Sequence, residues 1–248
     1  MIGRKIIFKE TLDSTNNYAA KLLQTGELSH GTVIMSGEQT AGRGQRGAVW
    51  AAEPYKNLIF TCFLEYDKLS VANHQSITHF VSLALNDLLS FFGISASIKW
   101  PNDIVIGNKK IAGVLIENQL ESSLLKSSII GIGLNVNQIE FGGFNATSLK
   151  LEKNEDFSIE NVSMKLIETL QERFNQLQFK NLEGLKTDYL NQLWLKNQPS
   201  MFEDATGIFE GKILGTDDFG RLIVEKNSEE KSYDLKEIKF LDRNISAI

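Results

Sequence analysis

Two apolar runs, Leu58–Leu64 and Ile129–Val136, constrain the fold of this chain most. A strand that is apolar on both faces must be covered on both faces, so each belongs inside a layered sheet. The second run carries Gly131 and Gly133, and a strand glycine often marks close approach of a ligand or another backbone. Between the runs, Ile77, Phe80, Val81, Ala84, Leu85, Leu88, Leu89 and Phe92 follow the i, i+3, i+4, i+7 spacing of a core-packing helix, which Gly93 ends.

Weaker signals fill in the rest. Asp13-Ser14-Thr15-Asn16 offers helix N-caps ahead of Tyr18, Ala19, Leu22 and Leu23, with Gly26 as a stop. Thr32–Met35 reads as a short strand. Ile98–Trp100, Ile104–Ile106 and Ile111–Glu117 read as strands, the last two joined by a hairpin at Gly107-Asn108. Helical patterns follow at Val162–Leu177 and Leu185–Leu195. Strand pairs flank helices without regular βαβ alternation, which predicts an α+β fold with a mixed or antiparallel sheet. After Pro199 come short strand-like pieces, Gly207–Phe209, Lys212–Leu214, Leu222–Val224, Tyr233–Leu235 and Lys239–Leu241, separated by turns such as Asp217-Asp218-Phe219-Gly220. They predict a small β-barrel packed on the main domain, and a division into residues 1–198 and 199–248.

Composition excludes several classes. A net charge of −5 argues against a nucleic-acid binder, which usually carries a basic face. The single cysteine, Cys62, permits no disulfide within the chain, and its apolar setting reads as a buried hydrophobe. Neither a signal peptide nor a run approaching about 20 apolar residues is legible, so a cytoplasmic location is expected.

Chemistry concentrates in Gln39–Trp50, Gln-Thr-Ala-Gly-Arg-Gly-Gln-Arg-Gly-Ala-Val-Trp. Gly42, Gly44 and Gly47 match the dinucleotide fingerprint, but Pro54 and a strand follow where that motif requires a helix. No Gly-Lys-Ser/Thr follows either, so a Walker A loop is excluded. An anion cradle and a surface loop with incidental arginines both remain open. Lys99-Trp100-Pro101-Asn102-Asp103 ends a predicted strand, and Ser14, Thr15, Asn16 and Gln39 add neutral donors and acceptors. Ser14–Asn16 can also be read as a cap alone, and Asn102-Asp103 as a turn alone. Together these groups suggest one site with neutral hydrogen-bonders at one end and cations at the other.

These residues, with Lys110-Ile-Ala-Gly-Val-Leu-Ile-Glu117 and Gly131-Ile-Gly-Leu-Asn-Val136, resemble the biotin–protein ligases in order and spacing. The resemblance runs from about residue 5 through the C-terminal segment. It implies a mixed-sheet biotin/lipoate ligase-type catalytic domain followed by a small SH3-like β-barrel. It also implies a reaction: biotin and MgATP give biotinyl-5′-AMP and pyrophosphate, and biotin then passes to a lysine of a carboxylase's biotin-carrier domain, of the acetyl-CoA carboxylase type.

By the same resemblance Lys99 and Arg43 are catalytic. Ser14, Thr15, Asn16, Gln39, Gly42, Arg43, Gly44, Lys99, Gly113 and Gly131 bind biotin. Arg43, Gln45, Arg46, Trp50, Asn102, Lys110 and Asn135 bind ATP or the adenylate, and Asp103 is a weaker candidate for Mg²⁺. The glycine loop becomes a lid that keeps water from a hydrolysable anhydride.

Many relatives carry an arginine at Gln45 and another basic residue at Ala48. Two neutral residues here imply easier release of the intermediate. Some relatives begin with a DNA-binding domain; here the pattern starts almost at Met1, and no DNA binding is expected. Exposed sheet edges would permit a homodimer. Two other readings are a lipoate or octanoyl ligase, whose loop or cysteine nucleophile differs, and a non-catalytic biotin or nucleotide sensor, which would not need a cation at the reacting atoms.

Overall fold

The computed structural model describes residues 1–179 and 181–241, apart from the Arg46 side chain. The chain runs β1 (Lys5–Leu12), α1 (Thr15–Gln24), β2 (Thr32–Gln39), β3 (Asn57–Ser70), α2 (Gln75–Phe91), β4 (Ser97–Lys99), β5 (Asp103–Ile106), β6 (Lys109–Glu121) and β7 (Leu124–Asn135). Then follow α3 (Leu149–Lys153), α4 (Ile159–Gln178) and α5 (Leu182–Asn191). The first seven strands form one sheet in the order β1-β2-β3-β7-β6-β5-β4. Only β1 and β2 are parallel, so the sheet is mixed, as the pattern of elements predicted.

The period-2 alternation of strands divides the central residues between two faces. Leu58, Phe60, Cys62 and Leu64 of β3 and Ile130, Ile132 and Leu134 of β7 enter the main core. There they meet the apolar stripes of α2, α4 and α5, including Phe80, Leu166, Phe174 and Tyr189. On the opposite face α1 covers a smaller cluster of Ala19, Leu22, Ile34, Phe63 and Ile129. Ser14 caps α1 by accepting from Asn17 N–H, and Ser158 caps α4 by accepting from Asn161 N–H. Beyond α1, the same face is left with small and polar residues, and there the cavity described below is formed.

The last five strands, β8 (Pro199–Asp204), β9 (Gly207–Thr216), β10 (Leu222–Lys226), β11 (Glu229–Tyr233) and β12 (Ile238–Phe240), form a second, antiparallel sheet. Its order is β11-β10-β9-β8-β12, and no pairing closes it among the described residues. The two expected pieces at 207–209 and 212–214 are one continuous strand, β9.

Two further expectations are corrected. The helix read through Leu195 stops at Asn191, because Trp194 N–H donates to Ile98 O and draws Leu193 alongside β4. The sequence pattern also missed β1, whose mostly exposed residues carry no burial signal. Among the described residues, no helix is long and apolar enough to cross a membrane.

His79 of α2 is 6% exposed, its ring centroid 4.4 Å from that of Tyr189 in α5. Burial, reinforced by Lys186 and His74, pushes its pKa down to about 4. The unfolded imidazole takes a proton near pH 6.5, so stability is complete above that pH and declines as pH falls toward 4. The expected loss from this residue between pH 6.5 and pH 5 is about 2 kcal/mol. Urea unfolding at the two pH values should show the wild type losing more stability than His79→Leu; equal losses would contradict this.

Candidate active site

The cavity rests on a floor of backbone. Gly131 and Gly133 of β7 lie on the face opposite the core, and in register Thr61, Gly131 and Leu115 form one row across β3, β7 and β6, while Ile59, Gly133 and Gly113 form the next. A Cβ on Gly131 would stand 2.5 Å from Asn16 Oδ1, and one on Gly133 would stand 2.2 Å from Trp50 Cε2. Gly113 lies under the same indole, and a Cβ added there would stand 3.3 Å from its Cζ3. The absent side chains therefore make the room in which Asn16 and Trp50 lie.

The cavity measures about 310 Å³. Ser14, Thr15, Asn16 and Gln39 form part of its lining. Gln39 Oε1 accepts from Thr15 N–H at 2.8 Å and from Thr15 Oγ1 at 3.1 Å. Asn16 Nδ2 donates to Glu117 Oε2 at 2.7 Å, and Thr61 Oγ1 lies 2.7 Å from both Asn16 Oδ1 and Thr15 Oγ1. One hydroxyl proton serves one of those two acceptors at a time. Neighbouring Asp13 has its pKa held below the usual carboxylate value by hydrogen bonds from the Asn17 side chain and the Ser14 backbone.

The glycine loop folds into a small hairpin over the cavity. Trp50 N–H donates to Gly42 O, Arg43 bridges Val49, and Gly44 N–H donates to Ala48 O. Gly47 takes φ +83°, which any other residue would resist. Arg43 pairs with Glu117, so Glu117 holds both Arg43 and Asn16. Lys110 Nζ lies 2.6 Å from Asp103 Oδ1 and 5.5 Å from the centre of the Trp50 ring. Asn102 Nδ2 donates to Val114 O at 2.5 Å, fixing the loop before β5 to β6.

Arg43, Gly44, Gln45, Trp50, Asn102, Asp103, Lys110, Gly113 and Gly131 all line the cavity. Four expected contacts are placed differently or lie outside the described residues. Lys99 is not on the wall: it sits on β4, the edge strand, and its Nζ lies 4.9 Å from the Trp194 ring centre and 5.3 Å from that of Phe240. Neighbouring strands are about 4.8 Å apart, which puts β4 two spacings beyond β6 and the glycine floor. Gly42 is packed against Trp50 O at the base of the hairpin rather than on the wall. Asn135 is likewise absent from the wall; it is buried, and its Nδ2 donates to Thr147 O and Lys110 O. The Arg46 side chain lies outside the described residues.

Sequence reasoning missed Thr61, Glu117, Leu235 and Lys236. Leu235 and Lys236 reach the cavity wall from the second sheet. Thr61 carried a signal, being a hydroxyl in an apolar strand at a position that alternates away from the core. Lys236 carried none, since a turn lysine is ordinarily solvated. Among the described residues no group of three or more His, Cys, Asp or Glu side chains could hold a metal.

Comparison with known proteins agrees with this geometry. The sequence profile of the Biotin/lipoate A/B protein ligase family matches residues 8–135. The chain is 30% identical over 234 residues to the Bifunctional ligase/repressor BirA of Bacillus subtilis, covering 92% of this chain and 71% of that protein. It is 29% identical to the Biotin--[acetyl-CoA-carboxylase] ligase of Paracoccus denitrificans, covering 86% of this chain and 90% of that one. The solved biotin protein ligase from Aquifex aeolicus in complex with biotin and ATP superposes with a TM-score of 0.77 at 24% identity, over 95% of this chain and 98% of that structure. That likeness gives the fold of a biotin protein ligase. By sequence, the chain belongs to the Biotin/lipoate A/B protein ligase family.

Proposed function

We propose that the chain activates biotin with ATP and transfers it to a lysine of a carboxylase's biotin-carrier domain. The observation that carries this reading is the polarity of one cavity: neutral hydrogen-bonders at Ser14, Thr15, Asn16 and Gln39, with Arg43 and Lys110 along the same wall. A cyclic urea offers a carbonyl and two N–H groups to the first set, and a site built for such groups penalises ligands that lack them. The cations suit the carboxylate and phosphate that must be brought together.

In the first step a biotin carboxylate oxygen attacks the α-phosphorus of ATP. The bond from that phosphorus to the bridging oxygen breaks, and pyrophosphate leaves. In the second step the neutral amine of the acceptor lysine attacks the acyl carbon, the acyl–oxygen bond breaks, and AMP leaves. Lys110 takes the charge-stabilising role expected of Lys99, since it lies on the wall beside Asp103. Arg43 exchanges Glu117 for substrate oxygens, and Trp50 gives an aromatic face to the adenine. Mg²⁺ arrives with ATP; Asp103 is the one carboxylate among the described wall residues, which suits a metal held mainly by phosphates and water. The second sheet is read as an SH3-like module of residues 199–248, supported by the pairing of its last strand with its first. The acceptor is read as a carrier of the acetyl-CoA carboxylase type, from the names of the curated relatives.

Incubation with biotin, MgATP and an apo carrier domain should add one biotinyl mass to the acceptor lysine and release AMP. No mass gain and no AMP would overturn the ligase reading. Lys110→Ala should slow AMP formation by about 10²–10³-fold. The double variant Lys110→Ala/Asp103→Asn should stay equally slow; recovery there would mean that the stranded Asp103 charge, not the lost cation, caused the defect.

Gly131→Ala tests the floor. Its methyl must displace the Asn16 amide, so biotin affinity measured by calorimetry should fall by about tenfold or more. Unchanged affinity would remove Asn16 from the recognition surface. Gln45→Arg tests the lid: adding a cation to the wall should slow dissociation of the bound adenylate, and a rate no slower than wild type would refute the leak.

A further inference from the structure

Lys99 has a different task. Its ammonium lies over the rings of Trp194, in the segment between α5 and β8, and Phe240, in β12. Those rings are themselves in contact, with centroids 5.8 Å apart. A cation against aromatic faces is attracted by the ring quadrupole, and partial desolvation strengthens the attraction. The next residue, Trp100, donates its indole N–H to Gly220 O at 2.8 Å, in the turn between β9 and β10. Lys99, the last residue of β4, and Trp100 directly after it thus grip the second sheet at two separate places. The residues that follow, Pro101, Asn102 and Asp103, line the cavity.

The grip on Phe240 has a consequence four residues upstream. The turn Asp234–Glu237 leads directly into β12 and is closed by Glu237 N–H donating to Asp234 O and Asp234 N–H donating to Glu237 Oε2. This turn carries Leu235 and Lys236 to the cavity wall. Arg43 and Lys110 are each already matched by a carboxylate, Glu117 and Asp103. Lys236 has no ion-pair partner among the described residues. The hairpin over the cavity is neutral at Gln45 and Ala48, so a cation brought from the second sheet adds to the charge available to a polyphosphate.

We infer that Lys99 is a positioning residue: with Trp100 it clamps the second sheet so that Lys236 is held against the phosphates of the nucleotide. The inference rests on the ligase reading and assigns the second sheet a direct share in nucleotide binding.

Steady-state kinetics on the full chain test it. Lys236→Ala should raise KM for ATP about fivefold, with kcat and KM for biotin little changed. Lys99→Met should raise KM for ATP in the same way, and Lys99→Arg, which keeps a cation over the rings, should restore it. The double variant Lys99→Met/Lys236→Ala should be no worse than Lys236→Ala alone, because the clamp acts through Lys236. Additive effects, or a fall in kcat with Lys99→Met in either background, would overturn the clamp, as would an unchanged KM in Lys236→Ala. Calorimetric binding of a non-hydrolysable ATP analogue separates this from the ligase reading. A wild type that makes no AMP yet loses analogue affinity with Lys236→Ala would sink the ligase reading and leave the clamp standing.

Discussion

The site depends on three residues that have no side chain. Gly113, Gly131 and Gly133 stand on adjacent strands at the centre of the first sheet, on the face turned away from α2, α4 and α5. Glycine in a strand interior costs roughly 0.5–1 kcal/mol relative to alanine, so grouping three there weakens the sheet where it is otherwise best packed. Contact with Trp50 and Asn16 offsets that cost: the indole lies on Gly113 and Gly133, the amide on Gly131. The same floor sets an aromatic surface at one position and a hydrogen-bonding group at another, one row of a rigid sheet apart. A site on loops alone would hold that spacing less well.

The cations of the wall come with their own counter-ions. Arg43 is held by Glu117 and Lys110 by Asp103, at side chains between 27% and 42% exposed. Pairs this open contribute little to stability. Their value lies in pre-organisation: each cation is kept near the place where substrate oxygens arrive, and each carboxylate can yield it without leaving a deeply buried charge unpaired. Glu117 also orients the Asn16 amide, so one carboxylate holds both a cation and a neutral hydrogen-bonding group of the cavity.

The main core and the chemical character of the cavity were legible because both rest on local pattern. The spacing of Ile77 through Phe92 predicts α2, and Gly107-Asn108 marks the hairpin between β5 and β6. The neutral cluster at Ser14–Asn16 and Gln39 is brought together as the residue types suggested. The sequence put Lys99 at the reacting atoms and Lys110 on the nucleotide, but only strand order reveals their separation, with Lys99 on the edge strand and Lys110 on the cavity wall beside the floor. Asn135 misled for a related reason. Its amide is committed to the carbonyls of Lys110 and Thr147, a debt set by the path of a distant loop. Lys236 was invisible because its role requires a second sheet to fold back over the first.

That folding back answers an electrostatic problem. The chain as a whole carries a charge of −5, which repels a carboxylate and a polyphosphate alike. Around the cavity the balance is reversed: among the described residues Arg43, Lys110 and Lys236 outnumber the carboxylates beside them, Asp103 and Glu117. Such a concave patch with low-dielectric walls concentrates field lines and raises the local concentration of anions. Two of those cations belong to the first sheet or its hairpin and one to the second, so the local field is complete only when the sheets are docked. The Lys99 and Trp100 contacts join them, and on the proposed reading these contacts determine whether the third cation is present when the nucleotide arrives. A motif that looks catalytic from its composition can therefore serve the reaction through geometry alone.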